Sequence, residues 1–283
     1  MSWWCESVAL CLRLLSAVFL LCTLPLTARA AATYVLVVVP QFPAPEIQRD
    51  WQPLLDRLRA TSGIELKIRH VRSIPEFENE FSRGLPDFVF MNPYHAVMAR
   101  QSQGYIPLVR ASAPLTGILV ARKDGAVGKV ADLDGKELAF PAPNAFGASL
   151  YMRTLLQEKL GLRIVPRYVK THSNVFRAVL AGDVPAGGAV SSTLAQESAA
   201  VRDRLRVLFE TPAVASHPLA AHPRVPESVR RELTNAILGI ARSADGAALL
   251  EPVQLVSPVT ADYARDYLPL ERLNLGAYFV RSE

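Results

Sequence analysis

Beyond residue 22 the sequence contains no cysteine; Cys5, Cys11 and Cys22 are the only three. A chain that starts after them has no disulfide, no thiol nucleophile and no thiolate metal site. Histidine is sparse too. His70, His95, His172, His217 and His222 form neither an H-x-x-x-H nor an H-E-x-x-H pair, which argues against a zinc site. G-x-S-x-G is absent, and Ser149 and Ser191 lack neighbouring partners of the triad type. No G-x-G-x-x-G and no Walker sequence occurs. No catalytic residue, metal ligand or cofactor is therefore expected. Basic residues are scattered among acidic ones with no basic run, so nucleic acid is not an expected partner. Internal repeats and low-complexity segments are also missing.

At the N-terminus, Arg13 precedes the apolar run 14–21, and Ala28-Arg29-Ala30 fits an A-x-A cleavage site. This is the pattern of a secretory signal peptide over residues 1–30. The apolar run is shorter than the ~20 residues a membrane span needs. Leu21, ahead of Cys22, is not the small residue a lipid anchor requires. Cleavage after Ala30 removes Arg13, Arg29 and Glu6, leaving 29 basic against 25 acidic residues. That mild positive balance is compatible with an anionic ligand. Export without cysteine suits a periplasmic protein that diffuses freely as a monomer.

From Tyr34 the chain alternates strands and helices. The β-branched run Tyr34–Val39 is the mark of a strand buried on both faces. Trp51, Leu54, Leu55 and Leu58 give the next segment, 45–61, one apolar face, with Gly63 as its stop. Ser73-Ile74-Pro75-Glu76 reads as a capping box with Pro early in a helix. Strands are expected at 64–71, 87–91, 106–111, 115–122, 137–140, 163–169, 186–190 and 206–209. Helices are expected at 94–103, up to about Leu160, and at 174–181, 192–200, 227–241 and near 261–267. Pro-rich 211–226 reads as extended. This order implies an α/β fold of two lobes, each a mostly parallel sheet flanked by helices. The chain would cross between lobes near 115–122 and again near 208–222. Lobe 1 takes 31–117 and 210–283, and lobe 2 takes 118–209.

Three strand-to-helix junctions carry the polar residues. In 141–147, Asn144 reads as an N-cap, and Gly147 lets a ligand approach the backbone. The N–H groups of Ala145, Phe146 and Gly147 would then be offered at the positive end of a helix. Asn92 and Tyr94 follow a buried strand, the place where open α/β sheets bind ligands. Asn92 equally reads as the helix cap, with Tyr94 packed. In 170–174, a cap made by Ser173 or Thr171 leaves the His172 imidazole free. Ser191, with Ser192 and Thr193, stands at a strand end and reads as a cap or a contact. Phe42 reads as an aromatic wall or as core.

Taken in order, these pieces resemble a known family. W-x-P-L-L-D-R-L, D-F-V-F-M-N-P-Y, A-D-L-D-G-K-E-L-A-F-P, T-H-S-N and A-V-L-A-G-D-V-P-A-G follow one another along the chain. Together they resemble the phosphate/phosphite/phosphonate-type substrate-binding proteins of ABC transporters, in the type II periplasmic binding protein family. The resemblance implies two lobes joined by two crossing segments, with the ligand held in the cleft between them and closure by hinge motion. It implies a small anionic ligand, a phosphonate, phosphate or organic acid, passed to an ABC transporter permease. The alternative it leaves is a ligand-sensing input to the periplasmic domain of a membrane histidine kinase. Carried over, Tyr94 stands on the first lobe's wall, Asn144-Ala145-Phe146-Gly147 at the anion-cradling helix start, and His172 opposite. One departure matters: the family's hydroxyl-rich Ser-Thr-Ser-Gly is reduced here to Gly147. Each lost charge-assisted hydrogen bond removes about 1.5–3 kcal/mol of anion binding.

Overall fold

A computed structural model describes residues 33–273 and 275–280, so the signal-peptide expectation lies outside the described residues. The first β-branched run forms β1 (Thr33–Val38), with Leu36 and Val37 fully buried. Helix Ala44–Ser62 covers it with Ile47, Trp51, Leu54, Leu55 and Leu58, and ends on Gly63 in the left-handed region, φ 70°. β2 (Glu65–Ile68) and β3 (Phe88–Phe90) pair with β1 in parallel, joined through helix Ile74–Ser82. Helix Pro93–Gln103 leads into β4 (Ile106–Ala111), and β5 (Gly117–Arg122) opens the second sheet. That sheet adds β6 (Glu137–Phe140), β7 (Val165–Tyr168), β8 (Ala186–Val190) and β9 (Leu205–Glu210). The chain then returns as β10 (Pro218–Ala221), helix Glu227–Ile240 and β11 (Pro258–Thr260).

The strand orders are β11-β4-β10-β3-β1-β2 and β7-β6-β8-β5-β9. Most strands of each sheet run the same way, four of six in the first and four of five in the second, and the others make the sheets mixed. β10 arrives from the other lobe and runs antiparallel between β3 and β4, while β5 runs antiparallel between β8 and β9. A strand entering a lobe at a crossing runs against those built by local strand-helix-strand units. The two crossings, 112–116 and 211–217, are stitched by Leu115 N to Val214 O (2.8 Å) and Val214 N to Leu115 O (3.0 Å).

Three local expectations are corrected. The 192–200 helix breaks into Ser191–Gln196 and Ala199–Arg202, because Glu197 adopts an extended conformation between them. Residues 211–226 are extended through β10, but they turn at 223–225. The segment ending at 160 is not one α-helix. It is a π-helical turn Phe146–Leu150, an α segment Tyr151–Thr154 and a second π turn Leu155–Lys159. At its start Ser149 N and Leu150 N both donate to Ala145 O, at 2.7 and 3.1 Å. Widened turns of this kind often mark functional sites. Among the described residues, no helix is long and apolar enough to cross a membrane.

Candidate functional site

The strand ends of both sheets meet around a small cavity. Val39 and Gln41 follow β1, Asn92 follows β3, and Ala145–Ala148 follow β6. His172 follows β7, Val190 ends β8, and His217 precedes β10. Its volume is ≈ 10 Å³, about one water molecule. Three backbone donors belong to residues of its lining. Ala145 N is taken by Ala142 O, but Phe146, Gly147 and Ala148 N–H meet no acceptor among the described residues. Buried N–H groups without a partner are rare, so this trio is a built-in place for an oxygen.

Both histidines here are buried. The Thr193 hydroxyl donates to Val190 O (2.8 Å) and lies 3.2 Å from His172 Nδ1. The arrangement that satisfies both bonds puts the proton on Nδ1 and leaves Nε2 as a lone-pair acceptor. Neither ring nitrogen of His217 bonds among the described residues, and its ring stacks on Phe90 with centroids 5.7 Å apart. Burial pushes the His172 pKa down to about 3. Burial, helped by the neighbouring His172 and His95, pushes His217 down to about 3 as well. No Lys or Arg lines the cavity, so negative charge would rest on N–H dipoles and amides, and on an imidazole only once it is protonated. Among the described residues, no group of three or more His, Cys, Asp or Glu is placed to hold a metal ion.

The other sequence candidates are engaged locally. Asn92 caps helix Pro93–Gln103 by accepting from His95 N at 2.8 Å, and it also reaches Asn144 O at 3.4 Å. The Tyr94 ring stacks on Phe146 with centroids 6.2 Å apart and planes 12° apart, and burial raises its pKa. Phe146 is sandwiched from the other side by Tyr151, at 5.5 Å. Gly147 packs its backbone on Gly117, with Leu115 and Val190 beside it. Its lack of a side chain thus serves the contact with β5. Thr171, not Ser173, caps helix His172–Ala181, and Ser173 is buried within it. Ser191 is not a cap, since Val190 takes that position. It opens instead onto a second, larger pocket of ≈ 240 Å³ at the crossing segments, which His217 also lines. Phe42 lines neither space; it borders a separate gap beside Trp51.

Asn144 corrects the sequence reading most clearly. Ala145 occupies the cap position, and the Asn144 side chain turns away. Its Nδ2 donates to Glu78 Oε2 (3.0 Å) and Val280 O (2.7 Å), and its Oδ1 accepts from Val280 N (3.0 Å). Glu78 in turn meets His95 Nε2 at 3.0 Å. Arg153 donates to Pro143 O (2.9 Å) and Tyr278 O (3.0 Å), tying the same tail to lobe 2. Removing a buried amide leaves these partners unsatisfied. Asn144→Ala should therefore lose about 1–3 kcal/mol in urea unfolding.

Sequence reasoning missed His217, Glu78 and Gln254. His217 lies in a Pro-rich stretch with no visible strand, and the other two matter only through partners distant in sequence.

A family model described as ABC transporter, phosphonate, periplasmic substrate-binding protein matches residues 36–267. No curated protein matches. Among solved structures, a binding protein component of an ABC phosphonate transporter from Pseudomonas aeruginosa superposes with a TM-score of 0.77 at 14% identity, covering 89% of this chain and 91% of that one. PhnD1 from Prochlorococcus marinus in complex with methylphosphonate gives 0.76 at 14% identity, covering 88% and 99%. A Xanthomonas citri protein bound to ATP gives 0.64 at 17% identity, covering 87% and 95%. At these identities the structural likeness establishes the fold, which is that of the type II periplasmic binding proteins.

Proposed function

The chain belongs to the periplasmic substrate-binding proteins of phosphonate ABC transporters, and from that premise we propose that it holds a small oxyanion between its lobes and hands it to an ABC permease. As a family member it is a solute-binding component of transport and not an enzyme, and the family works in the periplasm. The observation carrying the ligand reading is the trio of N–H groups without a partner among the described residues, at Phe146, Gly147 and Ala148, in residues that line a water-sized cavity with His172. One oxygen of a phosphonate, phosphate or carboxylate fits a space of that size.

A bulkier head needs the lobes to part. Residues 31–117 with 210–283 would move against 118–209 about the two crossings, as hinge closure does in this fold. Contacts that would break on opening include Glu78 to Asn144, Tyr94 on Phe146, and His172 N to Gln41 O at 3.4 Å. We take the working form to be a monomer, exported by the segment 1–30. The sensor-kinase alternative is not favoured by a family match to transport proteins.

Thermal melting with methylphosphonate, phosphate, a sulfonate and a dicarboxylate tests the reading. A bound ligand at a hundred times its Kd adds ~2.7 kcal/mol, or roughly 5–10 °C for a chain of this size. The shift should appear with an oxyanion and vanish in His172→Ala. No shift with any of the four, or a shift unchanged in His172→Ala, would count against the site.

A further inference from the structure

The inner cavity admits one oxygen, but the neighbouring pocket at the crossings holds ≈ 240 Å³. His217 lines both spaces, and its ring nitrogens meet no partner among the described residues. Apolar Ala113, Pro114, Leu115 and Val256 form one part of the outer pocket's wall, and Ser191, Ser192, Gln196, Gln254 and Glu251 supply its hydroxyl, amide and carboxylate groups. No Lys or Arg reaches it. Ser192 Oγ donates to Gln254 Oε1 (3.2 Å), and Gln254 Nε2 donates to Gln196 Oε1 (3.2 Å). Gln196 Nε2 completes the chain on Pro252 O (3.0 Å). These bonds run across the mouth between the two lobes. Gln254 is held at φ 60°, a left-handed conformation uncommon for a residue other than glycine. Backbone outliers of this kind cluster at ligand clamps.

We propose that this pocket is a second subsite, taking a hydroxylated, uncharged substituent of the ligand whose oxyanion end sits at the inner cavity. The assignment rests on reading the inner cavity as the anion subsite. Hydroxyl groups both donate and accept, and so do serine hydroxyls and glutamine amides. The Glu251 carboxylate accepts from a hydroxyl and repels a second anion. With no basic residue to offset that repulsion, a second anionic group on the ligand is disfavoured. Space for several heavy atoms beyond the head makes methylphosphonate a poor fill.

Calorimetric titration of the full chain separates these claims, using propylphosphonate, 2,3-dihydroxypropylphosphonate, 3-aminopropylphosphonate and 3-phosphonopropionate. The dihydroxypropyl compound should bind at least tenfold tighter than each of the other three. Gln254→Ala should erase its advantage over propylphosphonate, and so should Ala195→Trp, which fills the pocket from the exposed side of a short helix. Equal binding of the propyl and dihydroxypropyl compounds overturns the subsite while leaving the anion reading intact. So does tightest binding of the aminopropyl compound, or an advantage that survives both variants. Binding of none of the four overturns the anion reading and the subsite together.

Discussion

Gly188→Ala is expected to lower stability by about 3 kcal/mol and Tm by roughly 6–12 °C, at the upper end of what overpacking does. Gly188 lies in the middle of β8, where the helical turn that begins at Phe146 rests flat on the sheet. A methyl there would fall inside the carbonyl oxygen of Ala148 and 2.7 Å from the Phe140 ring. Backbone on one side and a fully buried aromatic on the other leave nothing flexible to yield. Gly117 repeats the arrangement one strand away, where the added methyl would meet the carbonyl of Gly147. Glycines on β5 and β8 thus let the turn lie close against the sheet beside the cavity it lines. The variant should for that reason lose ligand binding along with stability. Gly239→Ala is the control. It lies in helix Glu227–Ile240 with nothing nearer than 3.9 Å, and should gain up to about 1 kcal/mol. Urea unfolding of the three proteins decides the matter; a Gly188→Ala protein as stable as wild type would mean the turn is free to lift off the sheet.

What the sequence discloses about this region depends on how local the cause is. β6 and β8 are legible because Glu137–Phe140 and Ala186–Val190 are apolar and punctuated by turn residues on both sides. Helix Ala44–Ser62 is legible because its five buried residues fall on one face. β10 is not, because Pro218-Leu219-Ala220-Ala221 has no β-branched residue and sits among prolines. It is a strand only because β3 and β4 present edges to it. His217 is hidden with it. Asn144 was visible as a polar residue at a turn, but its partner Val280 is 136 residues away. The loss of the hydroxyl-rich motif was legible too, and the structure gives its consequence. Phe146 at this turn is stacked with both Tyr94 and Tyr151. The inner cavity is accordingly narrow, and the open volume lies beside the crossings.

Between pH 7 and pH 5 the protein should lose about 2–4 kcal/mol of stability. His172 and His217, both pushed from 6.5 to about 3 by burial, are the cause. In the unfolded chain both take protons as pH falls through 6.5, while in the folded protein they stay neutral until about 3. The unfolded state then binds more protons, so stability present above pH 6.5 is progressively lost below it. Each histidine contributes at most about 1.4 kcal/mol per pH unit. Most carboxylates titrate below this window. At Asp266 burial acts to raise the pKa, but hydrogen bonds from Arg265 and Arg110 outweigh it and hold the carboxyl well below its usual range. Its contribution is lost only in stronger acid. His222 shifts downward too, by burial and by Arg224, and adds to the slope in the same sense. Urea unfolding at pH 7, 6 and 5 should show the fall in wild type and a shallower one in a His172→Gln, His217→Gln double variant. A ligand tests the same chemistry from the other side. With its proton on Nδ1, His172 presents a lone pair at Nε2, which repels an oxyanion until Nε2 is protonated. Saturating methylphosphonate should therefore supply the charge that holds a proton on the imidazole, and flatten the slope. A slope unchanged by bound methylphosphonate would place the oxyanion away from both rings.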